Sequence, residues 1–213
     1  MNIGILACES LLEYVWAAQK KLGTDYPVFT LDYSRQEDPE QMRSRITEVI
    51  VRMPQQIDTV LVAMGFCGGS WNQVTLDRRI VIPKVDDCVS LLLNTDELHC
   101  PNPKEMGHLY MTERKPKQSC KRLCQQCPRW KADDCYPRWF ANHSQLDIID
   151  TGVFDCYEES YVEDAQKCAE TVNCVLGYVT GSNLMMEKLI GGHWDAQFVV
   201  AEPGQKIAHK DFF

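Results

Sequence analysis

Apolar residues in the first ninety positions come in short continuous runs separated by stretches with helical periodicity. The four runs cover residues 2–7, 26–33, 58–64 and 79–85. Strands that are apolar on both faces are typical of a parallel sheet covered by helices on each side. The pattern therefore predicts an α/β fold, with a mainly parallel sheet and helices on both faces.

Helix signals occupy the segments between the runs. Ser10 is a candidate cap for the first helix, and Pro39 stands at the first position of the second. A third helix is expected to begin near Cys88. Further along, the pattern predicts strand, helix, strand and helix over residues 146–191, then two strands around a turn at 203–204.

Three of the apolar runs lead to a cysteine at or just beyond their carboxyl ends, namely Cys8, Cys67 and Cys88. Sites in open α/β sheets form outside the carboxyl ends of the strands. The turn GFCGG around Cys67 supplies glycines, which permit close backbone approach and unusual dihedral angles. We therefore expect one shared site rather than three unrelated core thiols. Cys156 follows a later strand and is either a fourth ligand of that site or a packed thiol.

A second group of cysteines has the spacing C-x3-C-x2-C-x7-C and consists of Cys120, Cys124, Cys127 and Cys135. Four thiolates satisfy either a tetrahedral zinc ion or a four-iron cluster. The group contains one C-x2-C unit instead of the usual zinc-site pair, and a proline follows its third cysteine. We therefore favour a 4Fe–4S or larger iron–sulfur cluster, with zinc as the alternative.

Composition places this second group in a distinct segment. Residues 104–138 carry nine basic and four acidic side chains, whereas the whole chain of 213 residues has a net charge of −8. We therefore predict an α/β domain made of residues 1–99 and 146–213, with residues 100–145 as an inserted, Cys-rich metal-binding module. Its basic side chains would offset the negative charge of a thiolate-ligated centre, and they are equally suited to docking on the acidic remainder of the chain or on an acidic protein partner.

Charge and hydropathy limit the expected binding partners and the expected cellular location. The acidic balance argues against nucleic-acid binding, and no apolar run has the length of a membrane span. The first residues lack a basic stretch followed by a cleavage site, so we expect a cytoplasmic protein. The eleven cysteines, an odd number, then favour metal or redox chemistry over a disulfide framework.

Several motifs resemble those of an uncharacterised family, the domain of unknown function 1638. They are ILAC at the start, VLVAMGFCGG, IVIPKVDDCVSLLL and LMMEKLIGGHWDAQFVVAEPGQKI, and the resemblance covers about residues 2–95 and 177–210. It implies that the recurrent thiols of the family are Cys8, Cys67 and Cys88. Members often have a histidine just before the third cysteine, where this chain has Asp86 and Asp87. The four-cysteine segment is not expected of the family at large.

The resemblance also implies a metabolic role and a class of partner protein. Members resemble accessory proteins of anaerobes that are linked to corrinoid-dependent methyl transfer, so a corrinoid protein or a methyltransferase is an expected partner. We expect an iron–sulfur protein with a redox or accessory role. Either two centres are present or all seven thiols share one larger cluster.

Two other readings of the cysteines stay open. One is a zinc-thiolate enzyme that transfers methyl or alkyl groups, in which three thiolates leave a coordination position for a substrate. The other is a non-catalytic metallochaperone or partner protein. The sequence leaves the reaction undetermined.

Overall fold

A five-stranded sheet confirms the predicted α/β class. The computed structural model describes residues 1–31, 39–95, 100–125 and 142–213, and only the backbone of residues 121–125. The sheet has the spatial order β2-β1-β3-β4-β8, in which only the last strand is antiparallel. Its strands are β1 (Ile3–Cys8), β2 (Val28–Leu31), β3 (Thr59–Ala63), β4 (Arg79–Pro83) and β8 (Phe198–Ala201).

A second sheet of three parallel strands, in the order β5-β6-β7, follows in the chain. These strands are β5 (His108–Met111), β6 (Gln145–Asp150) and β7 (Val175–Thr180). β5 lies within the segment predicted to be an insertion, yet it pairs with β6 at the end of that segment. The division into domain and insertion remains a prediction.

The helices described by the structure connect these strands. They are α1 (Leu12–Leu22), α2 (Pro39–Arg52), α3 (Cys88–Leu93), α4 (Pro116–Gln125), α5 (Glu159–Thr171) and α6 (Leu184–Ile190). No helix within the described ranges is both long and apolar enough to span a membrane.

Alternating side chains of the central strands enter two separate cores. Leu6 and Val62 belong to a cluster that contains the buried face of α2, whereas Ile5 and Leu61 belong to a cluster built with α1, α3 and α6. All four side chains are fully buried. Both faces of the first sheet are therefore covered, which explains why its strands read as continuous apolar runs.

The C-terminal segment departs from the predicted hairpin. After β8 the chain turns at Gly204 (φ 80°), but it then runs beside residues 74–76 instead of pairing with β8. Backbone bonds from Gly204 N to Leu76 O (2.7 Å) and from Ile207 N to Val74 O (2.8 Å) fix this path. Hydrophobic burial accounts for it, because Ile207 and Phe212 both reach the cluster that contains Phe66.

This packing predicts unequal effects of the last two residues on stability. Phe212 is 1 % exposed with its ring centroid 4.7 Å from that of Phe66, whereas Phe213 is 54 % exposed. We expect Phe212→Ala to lower the free energy of unfolding by about 3 kcal/mol or more, because it leaves a cavity. Phe213→Ala, the matched control, should cost less than about 1 kcal/mol. Urea denaturation measures both, and equal losses would contradict the described path of the C-terminal segment.

Candidate metal centre

Adjacent strands bring the three predicted thiols to one edge of the first sheet. β1 pairs with β3 from Ile3↔Thr59 to Ala7↔Ala63, and β3 pairs in turn with β4. Cys8 is the last residue of β1, Cys67 lies in the turn after β3, and Cys88 is the first residue of α3, after β4. The parallel arrangement thus places all three at the carboxyl ends of neighbouring strands, as predicted.

Cys88 is the central thiol of the three. A side-chain hydrogen bond with Cys88, followed by burial, holds the pKa of Cys8 well above its usual value. The pKa of Cys88 is also raised well above its usual value, mainly by a side-chain hydrogen bond with Cys67 and by burial, although its bond with Cys8 works the other way. Cys67 and Cys88 also pack against the buried cluster that contains Cys8, so the three thiols border the same cluster. Because their pKa values are raised, Cys8 and Cys88 are protonated thiols at neutral pH.

Ser10 has a different role from the one predicted. α1 begins at Leu12, after a short 3-10 turn over Glu9–Leu11, and no side chain caps either helix. The Ser10 hydroxyl lies 3.3 Å from the sulfur of Cys8. The serine thus contacts the buried thiol instead of the backbone of the helix, and this bond acts to lower the pKa of Cys8 against the larger opposing effects.

The turn that carries Cys67 is left-handed over three consecutive residues. Cys67, Gly68 and Gly69 have φ values of 48°, 66° and 95°. Glycine adopts this region readily, whereas a residue with a Cβ pays a steric penalty of about 1 kcal/mol. Backbone strain of this kind persists where the surroundings over-determine the conformation, and it clusters at functional sites.

The surroundings that impose this conformation are the residues after β4. Phe66 N donates to Val85 O (2.8 Å) and Cys67 N donates to Asp86 O (2.7 Å). Gly65 sits against the same segment, because a Cβ at this position would lie 2.7 Å from both Asp87 N and Val85 O. The absence of a side chain at Gly65 therefore allows the loops carrying Cys67 and Cys88 to meet.

Lys104 holds the second of these loops in place. Its ammonium nitrogen lies 3.0 Å from Asp86 Oδ2 and 2.5 Å from Asp87 Oδ2. Burial acts to lower the pKa of Lys104, but the Asp87 and Asp86 carboxylates outweigh it and raise that pKa. The other oxygen of Asp87 accepts from Ser90 N (2.8 Å) and caps α3. These two carboxylates thus bind a lysine and a helix end.

Cys156 is fully buried in the cluster between the second sheet and α5, alongside Leu146 and Tyr161. Burial, with a smaller contribution from Asp150, raises the pKa of Cys156 to about 11. By contrast, Cys8, Cys67 and Cys88 lie in or against the two clusters that cover the faces of the first sheet. A role for Cys156 as their fourth ligand stays a prediction that this placement does not favour.

The second cysteine group is described only in part. Cys120 is half-buried on α4 and packs against the cluster of the second sheet. Cys124 lies on the same helix, in the stretch where only the backbone is described, and Cys127 and Cys135 fall outside the described residues. Convergence of these four thiols therefore stays a prediction.

Across the described ranges, no three His, Cys, Asp or Glu side chains already stand at coordinating geometry. Cys8, Cys67 and Cys88 are thus described as neighbouring free thiols. Sequence reasoning identified these thiols but missed Lys104, because no local signal links it to a loop seventeen residues earlier.

A comparison with family models finds one match. The family described as "Protein of unknown function (DUF1638)" matches residues 30–190, well over half of the chain, which confirms the resemblance inferred from the motifs. The matched range contains Cys67 and Cys88 and begins after Cys8. No curated protein and no solved structure matches the chain.

The contact between the two loops predicts that alanine substitutions at two nearby glycines lower the free energy of unfolding by different amounts. Gly65→Ala should lower the free energy of unfolding by about 2–3 kcal/mol, because its methyl group overlaps backbone atoms that cannot rotate away. Gly68→Ala meets no atom within 4 Å, so only its left-handed φ opposes the substitution, at about 1 kcal/mol. Urea denaturation of both variants tests this order, and a smaller loss for Gly65→Ala would show that the loops do not meet as described.

Proposed function

The chain belongs to the DUF1638 family, and we propose that it is a metal-thiolate protein whose centre is held by Cys8, Cys67 and Cys88. One observation carries this proposal. Cys8, Cys67 and Cys88 all border one buried cluster where three parallel strands end, and the pKa values of Cys8 and Cys88 are raised in part by the neighbouring thiols. Three cysteines from distant parts of the sequence thus share one small volume.

The local backbone supports a site rather than accidental packing. A cysteine that served only as a small buried hydrophobe would not need the left-handed φ of Cys67 or the glycine contact at position 65. Both features bring this thiol toward Cys88. A soft metal ion suits the result, because zinc and iron sites in proteins are commonly built from thiolates.

A single tetrahedral ion is the simplest occupant for three thiols that border one cluster. Metal–sulfur bonds of about 2.3 Å at tetrahedral angles require the sulfurs to stand about 3.8 Å apart. The described side chains do not form a coordinating group, so Cys8, Cys67 and Cys88 would have to turn toward a shared ion to bind it. Three protein ligands leave one position open for a water molecule or a substrate.

An iron–sulfur cluster is the second candidate. It is favoured by the four further cysteines at 120, 124, 127 and 135, since a chain with seven such thiols has ligands for two centres or for one larger cluster. Lys104, beside the loop that carries Cys88, would offset part of the negative charge of the thiolates.

We infer a cytoplasmic protein with a redox or accessory role, in the setting that the family resemblance implies. That setting is anaerobic methyl metabolism, with a corrinoid protein, a methyltransferase or another acidic protein as partner. An open coordination position on zinc would suit activation of a substrate thiol, whereas an iron–sulfur cluster would suit electron transfer. A metallochaperone is the alternative.

Metal analysis after anaerobic purification tests the proposal. Cys67→Ser and Cys88→Ser should each remove the metal of the first centre, because either change deletes one of three ligands. Cys100→Ser is the matched control, since Cys100 is exposed and should be dispensable. Cys124→Ser reports separately on the second cysteine group.

Zinc without acid-labile sulfide would identify the single-ion form, and iron with sulfide would identify the cluster. If Cys67→Ser and Cys88→Ser keep the full metal content while folded, the proposed centre is wrong. The same conclusion holds if the wild-type protein neither carries nor takes up metal without oxygen.

The raised thiol pKa values predict how metal affinity depends on pH. At neutral pH, Cys8 and Cys88 are protonated, so a metal ion must displace both protons. The logarithm of the apparent zinc affinity should therefore rise by about two or more per pH unit between about pH 6 and pH 8. Competition with a chromophoric chelator measures this slope. An affinity that does not change with pH would show that neither thiol is a ligand.

A further inference from the structure

A cavity of about 530 Å³ lies at the carboxyl edge of the second sheet. This volume is within the range of small-molecule sites. Residues after β6 and β7 form one side of it, and α1 and α6 form the other. The lining residues are Ala17, Lys21, Thr95, Thr151, Gly152, Val153, Ser182, Asn183, Leu184 and Glu187. The cavity thus has the same relation to the second sheet as the three thiols have to the first, at the edge where α/β sheets bind ligands.

Asn183, one of the lining residues, carries an unsatisfied acceptor. Its side chain is 7 % exposed, and its Nδ2 donates to the carbonyl oxygen of Tyr14 at 2.9 Å. Its Oδ1 is buried and has no hydrogen-bond partner within the described part of the chain. A buried amide oxygen without a donor is costly, so this position favours a ligand that supplies an N–H or O–H group.

Glu187 provides a second acceptor one helical turn further along α6. The backbone bond from Glu187 N to Asn183 O (2.9 Å) shows this spacing, which places the two side chains on one face. The carboxylate of Glu187 is paired with Lys21 at 2.7 Å, and the side chain of Lys21 is 65 % exposed. The lining residues therefore combine a buried amide oxygen with an ion pair of a carboxylate and an exposed ammonium group.

We propose that this cavity binds a small zwitterion of the free amino-acid type. The ligand ammonium donates to Glu187 and to Asn183 Oδ1, and a shift of the Asn183 side chain opens this buried oxygen to the cavity. The ligand carboxylate is bound by Lys21, which leaves its ion pair with Glu187. Charge complementarity supports this class, since the wall carries one positive and one negative side chain, together with an acceptor that needs a donor. The site is independent of the metal centre.

Calorimetric titration tests the proposal, with the twenty standard L-amino acids as probes. At least one should bind saturably at millimolar or lower concentration. Its 2-hydroxy acid analogue lacks the ammonium group and should bind at least about tenfold more weakly, because hydrogen bonds that involve charged groups contribute most. The corresponding amino-acid amide lacks the carboxylate and should also bind more weakly.

Two substitutions locate the site. Glu187→Gln and Lys21→Met should each weaken binding about tenfold or more while leaving metal content unchanged. Glu48→Gln is the matched control, because it removes a comparable ion pair with Arg52 on α2, outside the cavity. Circular dichroism and thermal unfolding verify that each variant is folded.

Three results would overturn the inference. One is that none of the twenty amino acids binds. Another is equal binding of the 2-hydroxy acid analogue, and the third is unchanged affinity in folded Glu187→Gln and Lys21→Met. None of them affects the metal centre, which is tested by metal content in the cysteine variants.

Discussion

The candidate metal centre depends on the contact between the turn after β3 and the segment after β4. This contact consists of two backbone hydrogen bonds and of the close approach of Gly65 to Val85 and Asp87. It fixes the left-handed conformation of Cys67 and positions that thiol against Cys88. Without it, each cysteine would still lie at or beyond the carboxyl end of its own strand, but nothing would hold the loops of Cys67 and Cys88 together.

The rest of the molecule supports these two loops from both sides. Phe66 precedes Cys67 and packs against the ring of Phe212 from the C-terminal segment. On the other loop, Lys104 binds Asp86 and Asp87, and Asp87 caps α3. α3 then links the two sheets, because its Leu92 carbonyl accepts from Ser182 N (2.8 Å) after β7. A helix of six residues thus begins at the thiols and ends beside the proposed zwitterion cavity.

The sequence was sufficient for most of the described helices and strands and for the placement of Cys8, Cys67 and Cys88 at one edge of the first sheet. Continuous apolar runs indicate a sheet covered on both faces, and parallel strands bring their carboxyl ends together whatever their exact order. Other features depend on contacts between residues that are far apart in the sequence, and these contacts leave no local pattern. The pairing of β5 with β6 in a separate sheet is one, and the path of the C-terminal segment beside residues 74–76 is another. Ser10 illustrates the same limit, because a hydroxyl at the start of a helix reads as a cap, whereas here it contacts a thiol.

X-ray absorption spectroscopy of the anaerobically metal-loaded protein tests the central claim most directly. With the second cysteine group disabled by Cys124→Ser and Cys127→Ser, our account predicts a first coordination shell with three sulfur atoms at about 2.3 Å from the metal. A further light atom would occupy the open position. A shell composed of nitrogen and oxygen alone, or one with a single sulfur atom, would contradict it.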